Sequence, residues 1–95
     1  MKRSIDISNF EAEVTKLERA YLEVMGRENI LNYLINNGKK NSLEFKEFWS
    51  DYIDQLRIYE NVKNKFFNTC LIQVLGNYDG NWIVDFEKRE VVIDE

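Results

Sequence analysis

Phe66-Phe67-Asn68-Thr69-Cys70-Leu71-Ile72-Gln73-Val74-Leu75 is the stretch on which the fold turns. Aromatic, aliphatic and β-branched residues crowd it, so its composition predicts a strand, mostly buried toward its end. Upstream of it apolar residues recur at helical spacing, and downstream they alternate. The chain therefore divides into a helical two-thirds and a β-prone third. This is an α+β pattern: three N-terminal helices followed by a small antiparallel three-stranded sheet.

Downstream, Gly76-Asn77-Tyr78-Asp79-Gly80-Asn81 has the composition of a turn, with Asp79-Gly80 supplying positive φ for a plain hairpin. It carries no glycine fingerprint for cradling phosphate. Trp82, Val84 and Phe86 then alternate with Ile83, Asp85 and Glu87, which gives the second strand one aromatic and apolar face. Lys88-Arg89 turns the chain again into Val91-Val92-Ile93. The result is a meander, and three strands with an apolar face are able to pack on helices where a lone hairpin is marginal.

Upstream, Phe10, Val14, Leu17, Tyr21 and Val24 share one helical stripe. Ser8 with Glu11 forms a capping box, and Gly26 stands where a C-terminal left-handed residue falls, so a first helix is expected from about Asn9 to Met25. Ile30, Leu31, Leu34 and Ile35 mark a second, from about Arg27 to Asn36, ended by Asn37-Gly38. The third, about Ser42 to Val62, is capped by Asn41 with Glu44 or by Ser42 itself. It carries a broad face of Phe45, Phe48, Trp49, Tyr52, Ile53, Leu56 and Tyr59. Glu44, Glu47, Asp51 and Asp54 recur nearly opposite, as an acidic ridge.

With 95 residues, 44% of them apolar, the chain fits one domain spanning 1–95, and no proline with only four glycines leaves no flexible linker. The core at this size is thin, so a homodimer that extends it is compatible with the composition. There is no histidine and one cysteine. That removes the Ser-His-Asp and Cys-His systems, a histidine base and a Cys/His zinc site. No remaining group has a spacing that names a chemistry, so neither an enzyme nor a metal or other cofactor is expected. Cys70, in its apolar run, reads as a reduced, buried thiol.

Thirteen basic against seventeen acidic side chains give a net charge of -4. The basic residues are scattered in pairs, which argues against nucleic-acid binding. No window approaches the roughly 20 apolar residues of a membrane span and no signal peptide opens the chain, so a cytoplasmic protein without a membrane partner is expected. What remains is a small acidic protein-interaction module that inhibits, neutralises or adapts another protein, as immunity proteins and inhibitors do. Its partner would carry a basic surface, met by Glu44, Glu47, Asp51 and Asp54 with the aromatics Trp49, Tyr52, Tyr78 and Trp82. The alternative is a small carrier that holds an apolar ligand between the aromatic helix and the sheet.

Overall fold

A computed structural model describes residues 2–76, 78 and 80–94. Two long helices form an antiparallel hairpin, and a three-stranded antiparallel sheet packs against one end of it. The molecule is accordingly elongated, 46 × 25 × 23 Å.

Helix α1 runs unbroken over Glu11–Asn36, so the two expected helices are one. Gly26 keeps an ordinary helical backbone, since the glycines with positive φ are Gly38 and Gly76. A helical glycine costs only about 1 kcal/mol against alanine, and continuous packing outweighs that. Leu17, Val24 and Leu31, seven residues apart, stay buried in one line across Gly26, with Leu34 extending it. The real break comes at Asn37–Ser42. There Gly38 adopts φ 72 and Lys39 N–H donates to the Leu34 carbonyl at 2.8 Å.

Helix α2 spans Leu43–Phe66, and Ser42 caps it by accepting from Phe45 N–H at 3.1 Å. The helix does not stop where a strand was expected. It passes through a π turn over Phe67–Leu71 into the short α3, Ile72–Leu75. The segment 66–75 is therefore helical, and packing explains why. Phe66, Cys70 and Leu71 are buried together; a strand would send the adjacent Cys70 and Leu71 to opposite faces, whereas positions four and five apart share one side of a helix. Thr69 Oγ donates to the Lys65 carbonyl at 2.7 Å within the same run.

The third strand comes from the other terminus. Strands β1 (Lys2–Asp6), β2 (Trp82–Asp85) and β3 (Glu90–Asp94) lie in the order β1-β3-β2, not as a meander. The β2–β3 hairpin forms as expected around Phe86–Arg89. Asp85 accepts from Lys88 N–H at 3.0 Å and Arg89 takes φ 52. The Arg89 side chain ties this turn to α1 through Glu11 at 3.0 Å and Glu18 at 3.6 Å. Of the expected turn Gly76–Asn81, Asn77 and Asp79 lie outside the described residues; because helix precedes it, the segment joins α3 to β2 and is not a hairpin. The core lies between sheet and helices, where Ile7, Val14, Leu17, Leu71, Val91 and Ile93 are fully enclosed.

Candidate functional site

The hairpin is longer than the sheet that covers it, and this mismatch creates the site. β2 crosses the two helices. Trp82 packs on α2, with ring centroids 6.2 Å from Phe66 and 6.0 Å from Phe67, and Phe86 packs on α1, 5.6 Å from Tyr21. Tyr21 also meets Tyr59 at 6.0 Å. Beyond Tyr21 and Tyr59 no strand among the described residues lies on the helices, and the apolar face continues uncovered by the sheet toward the hairpin tip.

On that bare half, Trp49 stacks on Phe45 at 6.2 Å and leans on Tyr52 at 5.6 Å. Trp49 keeps 48% of its surface exposed and Ile35 43%. Ile35, Phe45 and Trp49 line an apolar groove of about 440 Å³ whose rim carries Lys40 and Lys46. Helix α2 contributes only Phe66 to the fully buried set; Phe45, Phe48, Tyr52, Ile53, Leu56 and Tyr59 are half-buried. Its broad face is thus too wide for α1 alone to cover.

The acidic ridge is divided by ion pairs. Asp51 accepts from Arg27 Nε at 2.8 Å, which pins α2 to α1, and Glu44 approaches Lys39 at 3.9 Å. Arg27 also bonds Glu23 at 2.6 Å, and these carboxylates raise its already high pKa. Glu47 and Asp54 are exposed and make no ion pair among the described residues.

Tyr78 and Trp82 belong to a different place from Trp49 and Tyr52. Trp82 lies under Lys63, whose Nζ stands 5.0 Å from the ring centroid, and Lys63 is 14 positions from Trp49, roughly 21 Å along a helix. Tyr78 donates its hydroxyl to the Asn81 carbonyl at 2.8 Å. Both residues line a partly polar open hollow of about 560 Å³ with Glu60, Lys63, Asn64 and Phe67. The eight expected contact residues therefore form an aromatic pair at the tip, an acidic strip on the far side of α2 and a separate cluster where β2 meets the other end of that helix.

The sequence pattern did not mark Ile35, Phe45, Lys40 and Lys46 as site residues. Ile35 and Phe45 were visible as apolar helix positions, but only the hairpin's short loop brings them together. Across the sheet's outer face the register aligns three carboxylates, Asp6, Glu90 and Asp85. No linear signal announces this row, because its three members come from three strands. Asp6 is held below its ordinary pKa by the Ser8 N–H it accepts at 2.9 Å.

Among the described residues no group of three or more metal-ligating side chains converges. No described helix is long and apolar enough to cross a membrane. Cys70 is buried in the core, 3.5 Å from Thr69 Oγ. No protein-family model, curated protein or solved structure matches the chain.

Proposed function

We propose that this chain is a non-enzymatic protein-interaction module that grips a partner protein with the bare half of its helical hairpin, so as to inhibit, neutralise or adapt it. One observation carries this: the sheet stops at Tyr21 and Tyr59, while the apolar face runs on through Tyr52, Trp49, Phe45 and Ile35. Aromatic side chains gathered in an exposed groove are the usual anchors of interfaces, and charge then selects the orientation. Lys40 and Lys46 at the rim favour acidic groups over the groove, whereas Glu47 and Asp54, on the far side of α2 from the aromatic face, suit the basic surface expected of the partner.

A carrier draws less support. The hollow between Leu17, Tyr21, Tyr59 and β2 measures about 200 Å³, below the roughly 300 Å³ at which small-molecule sites begin, and the larger one of about 560 Å³ beside Trp82 is open and lined in part by Glu60, Lys63 and Asn64. The interaction role is tested by a photo-crosslinking amino acid placed at Lys46, with the exposed Asn68 as control, in the cells that make the protein. A single protein adduct from position 46 and none from 68 is expected. Adducts of equal yield from both positions, or none from either, would reject the hairpin tip as the contact surface.

A further inference from the structure

The two edges of the sheet are built differently. The outer strand β1 reads Lys2-Arg3-Ser4-Ile5-Asp6, and charges along an edge discourage further pairing. The other outer strand, β2, reads Trp82-Ile83-Val84-Asp85 and has no lysine, proline or bulge to protect it. In an antiparallel ladder alternate residues direct both N–H and C=O away from the neighbour, so two of these four residues offer their backbone groups to the open side. Among the described residues nothing hydrogen-bonds to them.

A floor waits beside that open edge. A hollow of about 200 Å³ separates Leu17, Tyr21 and Tyr59 of the helices from Trp82, Val84 and Phe86. Beyond it α2 continues with the half-buried Leu56, Ile53 and Tyr52. A further strand would lie about 4.8 Å from β2. That step is close to three residues of helix rise, about 4.5 Å, so the strand would rest over Leu56, one step on from Tyr59, with alternate side chains pointing down.

The upper face specifies the other side chains. Two rows run across the sheet, Ser4–Val92–Ile83 and Asp6–Glu90–Asp85, and both end at the open edge. Ile83 is 72% exposed, so the next residue in its row gains by being apolar. The residue next to Asp85 continues a row of three carboxylates, where lysine or arginine is favoured and a fourth acid is opposed.

We infer that the β2 edge docks an extended segment of a protein partner as a fourth strand, apolar at alternate positions and basic beside Asp85. This rests on the interaction role proposed above, because its floor is the sheet-proximal part of the same bare face. Backbone hydrogen bonds supply affinity and the two rows supply specificity, as in other strand-addition complexes.

The test is a selection of random ten-residue displayed peptides against the full-length chain, followed by amide hydrogen exchange with the peptides obtained. Apolar residues at every second position with a lysine or arginine between them are expected, together with slowed exchange in Trp82–Asp85. N-methylation of the peptide amides facing β2 should weaken binding about tenfold or more, as befits lost backbone bonds. The Asp85→Asn, Glu90→Gln protein, which retains an acceptor for Lys88 N–H, should bind the basic peptides roughly two- to fivefold more weakly.

Peptides with apolar residues three and four apart that leave β2 exchange unchanged would overturn strand addition, yet leave the hairpin surface as the contact. Failure to enrich any peptide would also overturn it. Slowing of the β2 amides by raised concentration of the protein alone would overturn it too, since the edge would then pair with a second copy.

Discussion

Replacing Gly26 by alanine should stabilise the protein, and the sign of the change separates two descriptions of α1. If the helix is continuous, Gly26 is an interior residue with helical φ, and alanine there is worth about 0.8–1 kcal/mol through backbone entropy. Nothing lies within 4 Å of the position a methyl group would take, so no clash subtracts from that gain. For a domain of this length the melting temperature rises by roughly 4–8 °C per kcal/mol. Gly38 is the internal control. Its φ of 72 lies in the left-handed region, where alanine costs about 1–2 kcal/mol, so Gly38→Ala should lower the midpoint by a comparable amount. Thermal and urea unfolding of the two variants beside the wild type make the comparison. A loss of stability in Gly26→Ala would mean that Gly26 caps a helix after all, and would refute the unbroken hairpin on which the bare face depends.

Other outcomes follow from the core and the ion pairs. Leu71 has no exposed surface, so Leu71→Ala should cost about 2–5 kcal/mol in urea unfolding; a smaller loss would mean that the 66–75 segment does not pack as a helix under the sheet. Cys70 is buried, so a thiol reagent should label it only as fast as the protein opens, and faster in Leu71→Ala; immediate labelling of the native protein would contradict its burial. Burial, with Tyr21 beside it, raises the Tyr59 phenol above its ordinary range. The fold therefore favours the neutral form, and the stabilisation is complete below about pH 10 and lost as pH rises through the raised value. Wild type should lose stability more steeply than Tyr59→Phe above pH 10, and parallel curves would contradict this. Arg27→Met removes a pair whose carboxylates are exposed, so a loss under about 1 kcal/mol is expected in the same urea assay; a loss of several would give the Arg27–Asp51 contact a structural weight that its exposure denies.

Where the sequence was legible, local chemistry and tertiary packing agreed. Ser42 was a cap candidate and caps α2; Trp82, Val84 and Phe86 alternate and pack on the core; the chain is α+β with a small antiparallel sheet. Where it misled, a local signal was overruled by a longer one. Gly26 resembled a stop, yet the seven-residue recurrence Leu17, Val24, Leu31 already ran through it in phase. The run 66–75 has β-prone composition, yet Phe66, Cys70 and the adjacent Leu71 are all buried on one side as in a helix, and tertiary burial decided. β1 escaped notice because Lys2–Asp6 holds one large apolar residue, Ile5, and its pairing partner β3 lies at the far end of the chain. The acidic ridge was visible as a pattern on α2. Its partial neutralisation by Arg27 was not, since that contact joins residues 24 apart.

The most direct test of the central claim is capture of partners from native lysate by the wild-type protein and by a folded Trp49→Ala variant, each at low and moderate salt, with stoichiometry read by mass spectrometry. Loss of Trp49 removes the exposed ring that stacks on Phe45 and Tyr52 while leaving the buried core between sheet and helices intact. The expected result is one stoichiometric protein that is retained by the wild type and lost, or weakened at least about tenfold, with Trp49→Ala, as befits an interface hot spot. A stoichiometric partner held equally by both proteins, or none held by the wild type, would contradict the claim that the bare half of the hairpin is the binding surface.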